Sequence, residues 1–219
     1  MNQSSVFVLS QHPSVASCFL ADLRSVDRQG DRLRFRRNVE RVGELLAYEL
    51  SKTLSFTQQT IQTPLDPLTV DRLTEQPVLI SVLRAGIPLH QGVLNYFDEA
   101  PSGFVGAYRQ PTSPDEFTIE TAYLAIPPVE GRTVILIDPM LATGRTLVEA
   151  TQLIAQHGTP THLHIIAAIG SPEGIAHVQE HSPLDCSLWL GAIDSHLNQK
   201  SYIVPGLGDA GDLAFGPKL

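Results

Sequence analysis

Apolar residues along this chain recur with two different periods, and the change between them marks its organisation. Phe35, Val39, Val42, Leu46 and Leu50 fall at three- and four-residue spacing, which predicts one apolar stripe along a helix over about residues 32–52. A shorter helical pattern over about residues 11–25 precedes it. Pro64 and Pro67 lie close enough to block both helix and central strand, so residues 63–67 read as a loop. Beyond residue 77 the pattern becomes short runs of branched apolar residues. Those at 78–83, 104–108, 133–137, 163–168 and 188–193 predict strands. Helical patterns over about 88–96, 147–157 and 172–180 separate them, the last with Pro172 at its first turn. Residues 111–114 are a breaker cluster, and 117–124 reads as extended. Strands alternating with helices imply an α/β fold with a mostly parallel sheet covered on both faces. Ligands of such sheets bind beyond the carboxyl ends of the strands. At 219 residues with 42% hydrophobic content, a single domain over 1–219 is expected.

The candidate chemistry sits at those strand ends. In Val134-Ile-Leu-Ile-Asp138-Pro-Met-Leu-Ala-Thr-Gly-Arg-Thr146 an apolar strand runs into a carboxylate, then a polar turn, then a helix start. A helix N-terminus offers unpaired N–H donors and partial positive charge to an anion. A strand-end carboxylate can accept hydrogen bonds from a sugar diol, so a phosphoribosyl ligand is suggested. The plain alternative is a strand–loop–helix corner with no ligand. A second strand ends in Ser81-Val-Leu-Arg84-Ala-Gly86 on the same expected edge. Its arginine is a planar fork of donors suited to phosphate oxygens, and its glycine permits close backbone approach. Arg109 follows a further strand in Gly106-Ala-Tyr-Arg109 and is expected at its end. Arg34, Arg36, Arg37 and Arg41 read as a solvated basic face of the long helix.

Gly206, Gly208 and Gly211 satisfy the G-x-G-x-x-G spacing of dinucleotide sites. That reading needs a strand before the motif and a helix after it. Only eight residues follow Gly211, among them Gly216 and Pro217, so no helix of useful length is expected there. A close-approach loop reading a flat polar edge fits better, and uracil presents such an edge. The eight histidines show no metal-site spacing with Cys or Glu, and neither a nucleophile elbow nor a Walker A loop is present.

Charge narrows the ligand. A formal net charge of −8 argues against a broad nucleic-acid footprint and favours a small phosphorylated substrate held by helix ends and a few arginines. The short apolar run at 6–9 is no secretory segment, and no stretch reaches transmembrane length. Cys18 and Cys186 read as free thiols, one bridge between them being the alternative, and with the missing leader this implies a cytoplasmic protein with no membrane partner.

Three of these motifs, in order, carry a resemblance. Leu83-Arg-Ala-Gly86, Asp138-Pro-Met-Leu-Ala-Thr-Gly144 and Tyr202-Ile-Val-Pro-Gly-Leu-Gly-Asp-Ala-Gly-Asp212 are similar to the pyrophosphate loop, the phosphoribosyl-pyrophosphate motif and the base-binding signature of uracil phosphoribosyltransferases, a type I phosphoribosyltransferase family. The likeness spans about His12 to Lys218. It implies the type I fold, with an N-terminal helical segment and a C-terminal base-binding segment. The implied reaction joins uracil to 5-phosphoribosyl 1-pyrophosphate (PRPP), giving uridine monophosphate and pyrophosphate. Catalysis would fall to Arg84, Arg109 and Asp209. PRPP would meet Arg84, Arg109, Asp138, Pro139, Met140, Leu141, Ala142, Thr143, Gly144, Arg145, Thr146 and Asp209. Uracil would meet Ile203, Gly208, Asp209 and Ala210. Mg2+ is expected only as Mg–PRPP, with no direct protein ligand, and a homodimer or homotetramer is implied. The chain departs from the family in having Arg145-Thr146 for Gly-Ser, Gln110-Pro111 for an acidic pair, and Gln91 for an aspartate. Thr143-Gly-Arg-Thr146 also resembles the motif of pyrimidine-responsive RNA-binding regulators on the same fold. A catalytically inactive relative that senses uridine monophosphate is the other alternative.

Overall fold

The structure, a computed structural model, describes residues 5–111 and 117–217, and the side chains in that range other than 107–111 and 117–122. Its centre is one sheet in the order β1-β10-β9-β7-β4-β5-β6. The strands are β1 (Val6–Val8), β4 (Val78–Leu83), β5 (Ser102–Pro111), β6 (Phe117–Ala125), β7 (Thr133–Ile137), β9 (His162–Gly170) and β10 (Cys186–Ile193), with the two-residue β8 (Met140–Leu141) alongside β9. All neighbours pair in parallel except β5 and β6. The expected mostly parallel α/β sheet is therefore present, with one antiparallel edge.

Side-chain alternation along the strands builds two cores. Leu79, Ile135, Ile137, Ile166 and Ala168 point to one face, where α1 (Val15–Arg24), α2 (Arg32–Ser51), α3 (Ile87–Leu94) and α6 (Ala210–Phe215) pack. Ile80, Val82, Val134, Leu136, Ile165 and Ala167 point to the other, under α4 (Arg145–His157) and α5 (Pro172–His181). Each such branched side chain contributes about 1.5–3 kcal/mol by leaving water. The predicted stripe of α2 is buried along its whole length, from Phe35 through Leu50.

Several elements were not expected. β1 pairs with the edge of β10. β2 (Phe56–Gln62) and β3 (Pro67–Leu73) form a separate exposed hairpin whose turn is the predicted 63–67 loop. β11 (His196–Leu197) and β12 (Ile203–Val204) form a short hairpin before the C-terminal segment. A six-residue helix, α6, also opens where none was expected, because Asp209 caps it by accepting from Asp212 N–H at 3.0 Å. The strand before it has two residues, so the dinucleotide pattern stays unmet. Of the four arginines read as a basic face of α2, Arg34, Arg37 and Arg41 are exposed as expected, whereas Arg36 is half-buried. Arg36 donates to the Ala214 carbonyl at the end of α6 (2.7 Å), and Arg41 lies 5.1 Å over the Phe19 ring. The 111–114 breaker cluster falls mostly outside the described residues.

Candidate functional site

The strand order reverses between β4 and β7. The chain runs from β4 outward to β5 on one side, and from β7 outward through β9 to β10 on the other. A crevice opens beyond the carboxyl ends at such a switch point. Ser81 is level with Ile137, so the 84–86 loop and Asp138 leave the sheet side by side. They touch: a Cβ at Gly86 would lie 3.1 Å from the Ile137 carbonyl and would collide with the Ser81 hydroxyl. Only glycine fits this approach. The Leu83–Arg84 peptide bond is cis.

Helix capping singles out the same place. α1, α2, α5 and α6 are capped at their N-termini by side chains of Ser14, Asp31, Ser171 and Asp209. The helices that start at the switch point, α3 and α4, have glycines there, Gly86 and Gly144, with no side-chain cap. At α4 the first-turn N–H groups are thus left for another acceptor, whereas at α3 Ile87 N–H already donates to Arg84 O (3.2 Å) and Pro88 has no N–H. Gly144 has φ +76°, and a methyl there would lie 2.7 Å from the Gly174 carbonyl. Arg145 N–H makes a long 3.5 Å contact to Thr143 Oγ1. Around this helix start Met140, Ala142, Thr143, Gly144, Thr146 and Leu147 line a shallow hollow open to solvent. The 138–146 loop is pinned from below: Pro139 O accepts from Ala168 and Ile169 N–H at 3.0 and 3.1 Å. Asp138 is 8% exposed, and its Oδ1 accepts from Met140 N–H at 3.1 Å.

The C-terminal segment closes on the 84–86 loop. Arg84, half exposed, donates to Gly216 O (3.2 Å) and pairs with Asp212 Oδ1 (3.5 Å). Ala85, Met140 and Ala142 pack against the same apolar cluster as Ile203, Leu207 and Ala210, which brings all three motifs to one rim. Ile203 and Ala210 are buried at 4% exposure, whereas Gly208 is exposed.

Arg109 lies elsewhere than expected. It stands inside β5, opposite Ile119 of β6, rather than at a strand end. β4 pairs with β5 only as far as Gly106, so residues 107–111 continue past the sheet's carboxyl edge as a two-stranded arm with β6. The reason is the partner strand: the antiparallel run of β6 supplies the hydrogen bonds that β4 no longer offers. The Arg109 side chain lies outside the described residues.

One support of the site gave no local signal. Arg24 of α1 forms a two-pronged ion pair with Asp194 (both contacts 2.7 Å) and also donates to Gly206 O at 3.1 Å. Asp194 in turn accepts from Gly206 N–H at 2.8 Å. The loop between the cis Val204–Pro205 bond and Gly208 is thereby held by a buried charge pair.

The uracil phosphoribosyltransferase family model matches residues 9–217. The chain belongs to the uracil phosphoribosyltransferase family. Family members named uracil phosphoribosyltransferase include one from Porphyromonas gingivalis, 42% identical over 98% of this chain and 99% of its own length. Another, from Thermococcus gammatolerans, is 40% identical over 91% and 88%. The solved structure of the AQ2163 protein from Aquifex aeolicus superposes with a TM-score of 0.84 at 28% identity, covering 96% of this chain and 98% of that one. The match covers every motif from Leu83 to Asp212. Among the described residues no helix is long and apolar enough to cross a membrane.

Proposed function

We propose that the chain transfers the phosphoribosyl group of PRPP to uracil, giving uridine monophosphate and pyrophosphate. The observation that carries this reading is the switch-point crevice. Two uncapped helix starts, Arg84 and the buried Asp138 meet there beside the C-terminal glycine segment. PRPP enters as its magnesium complex, which neutralises part of the pyrophosphate charge. The backbone of residues 142–146 holds the 5′-phosphate, with Pro139, Met140 and Leu141 shaping the loop around it. Asp138 takes the ribose hydroxyls. Arg84, and Arg109 from the β5–β6 arm, take the pyrophosphate. Arg84 can turn to it from Asp212, because their 3.5 Å ion pair is half exposed and correspondingly weak.

As the bond from ribose C1 to pyrophosphate breaks, positive charge grows on the ribose and uracil N1 closes on C1. The N1 proton leaves as the new bond forms. No covalent intermediate with the protein is needed, so positioning and electrostatics supply the acceleration. The backbones of Ile203, Gly208 and Ala210 read the uracil edge, and Asp209 faces both base and PRPP. The unpaired Cys18 and Cys186 fit work in a reducing compartment such as the cytoplasm.

Arg84→Ala should lower kcat/KM about 100-fold or more by removing a charged donor from the leaving group. Asp209→Asn should do likewise while the melting temperature stays near wild type. Wild-type rates in both variants would remove this site assignment.

A further inference from the structure

The first turn of α5 touches two parts of the site at once. On one side it seats the 138–146 loop. Ser171, fully buried, donates its hydroxyl to Ala142 O (2.7 Å) and its backbone N–H to Leu141 O (3.0 Å). The same hydroxyl accepts from Gly174 N–H at 2.9 Å. Gly174 lies so close that a methyl there would collide with the Ala142 carbonyl. On the other side, Glu173 Oε1 accepts from the backbone N–H of Leu197 at 3.1 Å. Leu197 pairs with Ile203, the first residue of the glycine-rich segment, and His196 pairs with Val204. Ser195 N–H donates to Val204 O at 3.0 Å, and Asn198 N–H to Tyr202 O at 2.9 Å, so the hairpin moves as one piece. Four consecutive residues, Ser171 to Gly174, thus join the start of α4 to the root of the C-terminal segment.

We infer that Glu173 is a positioning residue that sets the base-reading segment in register with the phosphate-holding loop, through the bond it accepts from Leu197. This rests on the function proposed above. Glu173 is exposed and reaches no reacting atom, so it acts on the base only through the β11–β12 hairpin. Glu173 also meets its own backbone N–H and the Ser171 side chain, but the bonds from Ser171 to Ala142 O and Leu141 O and the close approach of Gly174 remain when Glu173 is changed. Losing the carboxylate therefore loosens one half of the site and spares the other.

Steady-state kinetics of Glu173→Ala and Glu173→Gln, with each substrate varied in turn, test this. Glu173→Ala should raise the KM for uracil about five-fold and leave the KM for PRPP within two-fold, because one hydrogen bond at the surface is lost. Glu173→Gln keeps an acceptor for Leu197 N–H and should restore the wild-type uracil KM. An unchanged uracil KM in Glu173→Ala, equal rises for both substrates, or no rescue by glutamine would overturn the inference. Amide hydrogen exchange separates it from the function itself. Glu173→Ala should speed exchange at Leu197 and Ile203 but not at Thr146 and Leu147, whatever the protein turns over. Unaltered exchange at Leu197 would sink the inference even with wild-type catalysis intact, whereas failure of the wild-type enzyme to use uracil would sink only the proposed function.

Discussion

Arg24 and Asp194 stand 170 residues apart in the chain and meet as a two-pronged pair beneath Gly206. The aspartate side chain is almost wholly buried, so its charge depends on the arginine. Arg24→Met should cost about 3 kcal/mol of stability, because it strands a buried carboxylate. Urea denaturation measures this, and a change under 1 kcal/mol would mean that water or a backbone donor replaces the guanidinium. No local pattern announces such a pair, since neither residue has a motif around it. Arg84 and Asp138 were legible for the opposite reason: each stands where an apolar strand run breaks off at a charge. Ser171 lies between these cases. With Pro172 it reads as a helix start, but its bond to Ala142 is a tertiary contact that the sequence does not display.

Elements were legible where one face is buried. β4, β7, β9 and β10 are largely apolar, buried runs, and α2 carries an unbroken stripe. The β2–β3 hairpin escaped because Thr57-Gln-Gln-Thr60 has no apolar period, and nearly every residue of both strands is exposed. Arg109 was misplaced because the continuation of β5 beyond the sheet depends on β6, its partner across the turn. The exposed hairpin matters for assembly. Phe56, Leu65 and Leu68 are 49%, 96% and 50% exposed, a cost in water unless another surface covers them. We propose a homodimer or homotetramer that buries this hairpin. The double variant Phe56→Glu, Leu68→Glu should shift the mass found by light scattering toward the monomer. An unchanged mass would place the interface elsewhere.

Across the whole molecule, the two faces of the sheet do different jobs. One buries the N-terminal helices and α6 of the C-terminal glycine-rich segment; the other buries α4 and α5, which carry and brace the 138–146 loop. The crevice lies where both meet the carboxyl edge. Buried histidines tie this fold to pH. His164 accepts from Trp189 Nε1–H at 3.1 Å, and burial, with neighbouring His162, pushes its pKa down to about 3 from 6.5. Burial lowers His90 and His162 as well. The unfolded chain protonates these rings as pH falls through 6.5, while the folded chain keeps His164 neutral down to about 3. Stability is therefore fully present above the unfolded value and declines as pH falls through that window. The urea midpoint should drop between pH 7.5 and 5, and His164→Gln, whose amide oxygen can still accept from the indole, should flatten the drop. An equal slope in that variant would assign the acid sensitivity to other groups.

The central claim is that this crevice brings a phosphoribosyl donor and a pyrimidine together. Pyrophosphate release from Mg–PRPP, followed with uracil, cytosine, hypoxanthine or orotate as acceptor, tests it most directly. Release is expected with uracil, matched mole for mole by uridine monophosphate, and at least 100-fold slower with the other three, whose edges leave the loop's polar groups unpaired. No release with uracil, or an equal rate with hypoxanthine, would contradict it.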